Sequence, residues 1–197
     1  MTCSFNNLQT QLIFSSLNKK PLYSWGKSVR CGSITRLTDE DINKPVLQLS
    51  AGDTKKTFIT ISLKKNVTIN NKLPIFVLIV KNMYSPFAFD VQVKDDKDMW
   101  RRFSCGTTTA ETRISPYTCL LPLSLDHGWN YIQIDLADLI KKSYGTQYAE
   151  TLRLQIYPNC RIYRIYFADQ LCPIHQLPEE LTFIHLEKDE TSSKSIG

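Results

Sequence analysis

The chain has 197 residues, 42% hydrophobic and 11% aromatic, with 24 Lys/Arg against 19 Asp/Glu for a formal charge of +5. That is a globular composition and excludes a disordered chain; at this length roughly 70% of the unfolded surface can be buried without disulfides or metals. The longest apolar run near the amino end, Leu12-Ile13-Phe14, is too short for a signal-peptide core, and no segment approaches the ~20 apolar residues of a membrane helix.

The expectation is therefore a cytosolic chain with no membrane partner, whose Asn66-Val67-Thr68 sequon stays unmodified. Charge is uneven along it. Residues 1–178 carry 22 Lys/Arg against 14 Asp/Glu, a net of +8, and the acids gather near the end. A basic body suits an acidic partner.

In chain order, strands are predicted at 29–37, 46–50, 57–62, 75–80, 87–93, 100–104, 130–134, 152–157 and 161–167. The segment 75–80 is apolar throughout, as for a central strand covered on both sides. In 87–93 the residues Phe87, Phe89, Val91 and Val93 share one face, with Asp90 and Gln92 on the other. Leu152, Leu154 and Ile156 repeat the pattern.

Two helical signals interrupt the strands. Thr38 is placed to cap a short turn through Asp39, Glu40 and Asp41. Asp135 opens a helix whose Leu136, Leu139 and Ile140 share a face, and Lys141, Lys142 and Gly145 close it. Nine or ten short strands with one or two short helices predict an all-β fold, an antiparallel sandwich of jelly-roll type. A single domain is expected over 1–186, followed by a polar, disordered tail over 187–197.

No catalytic, cofactor or metal site emerges. There is no Gly-x-Ser-x-Gly and no phosphate-binding glycine loop, and His127, His175 and His185 stand in unrelated contexts. Cys172-Pro173-Ile174-His175, with Cys160 or His185, supplies one close pair where zinc needs two. The run Asp95-Asp96-Lys97-Asp98 lacks the Gly and Glu of a calcium loop and reads as a polar turn. The six cysteines have no repeated spacing and read as buried free thiols. Trp25, Trp100 and Trp129 leave a sugar-stacking sandwich as an alternative function.

The basic residues Arg101, Arg102, Lys141, Lys142, Arg153, Arg161 and Arg164 are the candidate protein contacts, since Arg suits planar pairing with carboxylates. Arg153, Arg161 and Arg164 lie in consecutive strands, so a shared patch is geometrically allowed. No nucleic-acid module is evident, and a nuclear role with nucleic-acid partners is the remaining alternative.

Asp126-His127-Gly128-Trp129-Asn130, the stretch from Tyr144-Gly145-Thr146 to Leu152-Arg153-x-Gln155-Ile156, and Asn159-Cys160-Arg161-Ile162 together resemble the cilia- and flagella-associated protein 20 family. So do Lys20-Pro21-Leu22-x-x-Trp25, Leu73-Pro74-Ile75-Phe76 and Arg101-Arg102-Phe103, and the likeness runs from about Leu17 to Phe183. The resemblance implies a β-sandwich of the ciliary axoneme, at the inner junction of doublet microtubules. There it would join B-tubule to A-tubule beside tubulin and a neighbouring junction protein, with basal bodies and the nucleus as further locations. It implies no catalysis, no cofactor and no small-molecule substrate. His127, the Cys105-Gly106-Thr107 loop and the end after Phe183 depart from the family pattern.

Overall fold

The strands that alternation predicts form two sheets. A computed structural model describes residues 8–61, 69–177 and 181. Among these, β1 is Thr10–Ser15, β2 Trp25–Val29, β3 Ser33–Asp39, β4 Lys44–Ser50, β5 Thr57–Ile61, β6 Ile75–Asn82 and β7 Ala88–Asp95. Then come β8 Trp100–Gly106, β9 Arg113–Ile114, β10 Thr118–Pro122, β11 Trp129–Asp135, helix α1 Leu136–Tyr144, β12 Tyr148–Ile156 and β13 Cys160–Ala168. One sheet runs β11-β6-β13-β4-β3 with β1 also on β13; the other runs β2-β5-β12-β7-β8-β10-β9. Pairing is antiparallel except between β8 and β10, which run parallel. The all-β sandwich expected from the sequence is thus the fold observed.

The core lies between the sheets. Phe89, Val91 and Val93 of β7 and Leu154 and Ile156 of β12 face Phe76, Leu78 and Val80 of β6 and Ile162, Ile165 and Phe167 of β13. Phe76 stands 5.5 Å from both Phe89 and Phe167, so its ring joins the two layers. Burying each such side chain contributes about 1.5–3 kcal/mol. Alternation is physically required here, because every second residue must leave the core for the outer face.

Strand β6 escapes that alternation, and the reason is visible. Its outward residues Ile75, Val77 and Ile79 are covered too, by Tyr166 and Ala168 in one cluster and by Val46 and Tyr163 in another. Strand β13 pairs with β4 only over Cys160 to Ile162, and β1 takes that side from Arg164 onward. The turn end of the β3–β4 hairpin therefore leans over the outer face, bringing Leu37, Ile42 and Val46 onto Ile79 and Tyr163.

Helix α1 forms as its caps dictate. Asp135 accepts from the Asp138 amide at 2.9 Å, and Gly145 (φ 67°) ends the helix with Leu136 and Ile140 buried.

Four expectations need correction. The strand at 29–37 is broken by a turn at Gly32 (φ 147°), where a Cβ would overlap the Ser50 carbonyl and Ala51. Thr38 caps no helix: it pairs with Pro45 inside β3, and the Asp39 carboxylate takes the Asp41 amide at 3.0 Å in a tight turn. Strands β1, β9 and β10 were not anticipated. Cys105, Cys119 and Cys160 are buried free thiols and Cys172 is buried, but Cys31 is exposed. Cys3, Asn66, His185 and the tail over 187–197 lie outside the described residues.

Candidate interaction surface

The outer face of the seven-stranded sheet is a grid of polar side chains whose rows follow from register. Arg153 of β12 sits opposite Gln92 of β7, Gln92 opposite Arg102 of β8, and Arg102 opposite Thr118 of β10. The adjoining row runs Thr60, Gln155, Asp90, Ser104, Leu120. Each is the outward member of a strand whose inward members build the core.

Hydrogen bonds fix the grid. Arg153 donates from Nε to Thr60 at 3.1 Å and from Nη2 to Gln155 at 3.0 Å. Arg102 donates from Nη2 to Thr118 at 3.3 Å. The Tyr157 hydroxyl donates to Asp90 Oδ2 at 3.0 Å, and burial together with the Asp90 charge pushes the phenol up to about 12. Asp90 Oδ1 is buried, and among the described residues no donor reaches it. Between them lies an open groove of about 680 Å³ along Asp90, Arg102, Ser104, Leu120, Gln155 and Tyr157, continued by a smaller hollow of about 160 Å³ that reaches Gln92 and Arg153. Trp100, on the same strand face two residues before Arg102, is 57% exposed.

The outer face of the six-stranded sheet is organised differently. Asp39, fully buried, accepts from Lys81 Nζ at 2.9 Å, Arg161 Nη1 at 2.6 Å and Trp129 Nε1 at 3.1 Å. Arg161 also meets Glu40 at 3.0 Å, and Lys81 meets Glu40 and Asp41 at 3.2 and 2.8 Å. Burial works against the Asp39 charge, yet the bonds from Arg161, Lys81, Trp129 and the Asp41 amide outweigh it and hold the carboxyl at about 2. Burial likewise opposes the Lys81 charge, and its three carboxylate partners raise the ammonium above its ordinary value. These acids come from the β3–β4 turn, so the cluster latches the hairpin onto β6 and β13.

The remaining candidates scatter. Arg101 points inward, bonded to Asp95 at 3.1 Å and lying 4.2 Å over the Tyr144 ring. Arg164 is buried, its guanidinium 5.2 Å from the Tyr163 ring. Lys142 pairs with Asp138 at 2.7 Å on the exposed face of α1, where Lys141 is also exposed. The shared patch of Arg153, Arg161 and Arg164 does not form, because β12 and β13 belong to different sheets. Arg102 and Arg153 come together instead.

The tryptophans form no common platform: Trp25 packs edge-on against Phe14 in the core and donates to the Ile13 carbonyl, while Trp129 serves Asp39 in the other sheet. Asp95 is a turn anchor, taking the Lys97 and Met99 amides at 3.0 and 2.8 Å and the Thr146 hydroxyl at 3.1 Å. Sequence reasoning missed Asp39, Asp90 and Gln92; outward placement in a predicted strand was the available signal for the last two.

Comparison with known proteins matches residues 4–185 to the CFA20 domain. The chain is 44% identical over 177 residues to the cilia- and flagella-associated protein 20 of Chlamydomonas reinhardtii, covering 89% of this chain and 93% of the relative. The protein of that name from Caenorhabditis elegans is 40% identical over 192 residues, covering 96% and 95%. That of Paramecium tetraurelia is 44% identical over 177 residues, covering 89% and 93%.

Proposed function

We propose that this chain, which belongs to the CFA20 domain family, is a non-enzymatic structural component of cilia and flagella. It sits in the axoneme at the inner junction of doublet microtubules and helps join B-tubule to A-tubule through tubulin and neighbouring junction proteins. The observation that supports this reading most is end-to-end likeness: 44% identity across 93% of a relative named for cilia and flagella leaves little of either chain unaccounted for.

Physical properties agree with such a role. A two-sheet core with a latched hairpin keeps its shape under load better than a loop-rich surface does. A formal charge of +5 favours encounter with an acidic polymer.

The test is co-sedimentation with salt-washed axonemal doublets. The chain is expected to pellet with doublets after detergent extraction. Recovery of all of it in the detergent-soluble fraction would overturn the proposal.

A further inference from the structure

Three of the seven cationic groups weighed above are engaged in ion pairs. Arg101 is neutralised by Asp95, Arg161 by Asp39 and Glu40, and Lys142 by Asp138; Arg164 is buried. Arg102 and Arg153 differ. Their hydrogen bonds go to Thr118, Thr60 and Gln155, all neutral, and among the described residues neither has an ionic partner. Two uncompensated guanidinium groups therefore share one face.

Register sets their spacing. Each stands one strand from Gln92, so their Cα atoms are roughly 10 Å apart. Their hydrogen bonds lead outward, Arg153 toward Thr60 of β5 and Arg102 toward Thr118 of β10, so each is placed to take a carboxylate of its own. Two residues from Gln92 along β7, about 7 Å away, Asp90 presents the opposite charge. Its Oδ2 accepts from Tyr157, and its Oδ1 is buried beneath the groove floor. The groove thus offers cationic donors at one end and a carboxylate at the other.

We propose that this groove binds an extended acidic segment of a protein partner. Side-chain carboxylates of the segment accept from Arg102 and Arg153. The inference deepens the scaffold reading above and rests on it. A neutral oligosaccharide would leave both guanidinium charges uncompensated, whereas a carboxylate pairs with the planar fork of Arg. Trp100 beside Arg102 adds the exposed aromatic that anchors protein interfaces. Asp90 repels a second carboxylate at its end of the groove and so sets which way the segment lies.

The experiment is fluorescence anisotropy with a fluorescein-labelled Glu/Gly peptide and its Gln/Gly counterpart on the full chain. The Glu peptide should bind with salt-sensitive affinity and the Gln peptide should not. Arg102→Gln and Arg153→Gln should each weaken binding by about tenfold. Arg113→Gln, on an exposed edge arginine paired with Glu111, should change it by less than about twofold. Unchanged circular dichroism melts would show that the variants fold. Wild-type affinity in the Arg102→Gln/Arg153→Gln double variant, or binding of cellotetraose with none of the Glu peptide, would overturn the inference. If peptide binding fails while wild-type chain still pellets with doublets, this inference falls and the scaffold reading stands. If the wild-type chain does not pellet at all, the scaffold reading falls first.

Discussion

Asp39→Ala removes the one carboxylate shared by Lys81, Arg161 and Trp129, and it does so where Asp39 is fully buried and Lys81 nearly so. Removing one member of a buried ionic cluster costs 3–5 kcal/mol, because the remaining charge has been taken from water without compensation. Glu40 and Asp41 still reach Lys81 at 3.2 and 2.8 Å, and Glu40 still reaches Arg161, so the low end applies: about 3 kcal/mol. For a chain of this size that is roughly 6–12 °C in Tm. Urea unfolding at pH 7, followed by circular dichroism, measures it.

Adding Lys81→Met should recover part of the loss, since it removes the stranded ammonium. A second arm uses pH. The folded Asp39 carboxyl sits at about 2 against an ordinary 3.8, so its contribution is fully present above the ordinary value and fades as pH falls through about 2. The amount is about 2 kcal/mol, and Asp39→Asn should lose that part of the acid sensitivity. A loss below about 1 kcal/mol for Asp39→Ala, with no recovery in the double variant, would refute the latch.

Asp95→Ala should cost about 3 kcal/mol in the same unfolding assay, since it frees two amides, Thr146 and Arg101 together; a loss under about 1 kcal/mol would show the turn holds without it. Gly32→Ala should destabilise by more than about 1 kcal/mol, because φ of 147° and the nearby Ser50 carbonyl leave no room for a Cβ; an unchanged urea midpoint would contradict this. With Cys3 replaced by Ser, an aromatic disulfide reagent should titrate Cys31 in the native protein and the other four thiols only on unfolding. Burial pushes the Cys105 thiol up to about 12 and raises Cys160 as well. Rapid native reaction of two or more thiols would disprove it.

The fold was legible where burial is one-sided. Phe89, Val91 and Val93 announce β7 because their neighbours Asp90 and Gln92 must face water, and Asp135 with Gly145 marks both ends of α1. Strand β1 was not legible: its first three residues are exposed, and its partner is β13, more than 140 residues away in the chain. Strand β10 carries no alternation and lies parallel to β8 through a long connection.

The interaction surface was legible only in part. Residue type singled out Arg102 and Arg153, but nothing local says that β12 and β13, joined by a short turn, enter different sheets and carry Arg153 away from Arg161. Asp39 reads as one acid in a polar turn, and its partners Lys81 and Arg161 stand 42 and 122 residues further along. Tertiary pairing, invisible to periodicity, makes it the keystone of a buried cluster.

A chain built into the doublet must be visible there, so the decisive measurement is a density map of intact axonemal doublets. The prediction is a two-sheet domain at the inner junction, with the face bearing Arg102 and Arg153 turned toward tubulin or a junction neighbour. Doublets whose inner junction shows no such domain, in cilia that contain the chain, would contradict it.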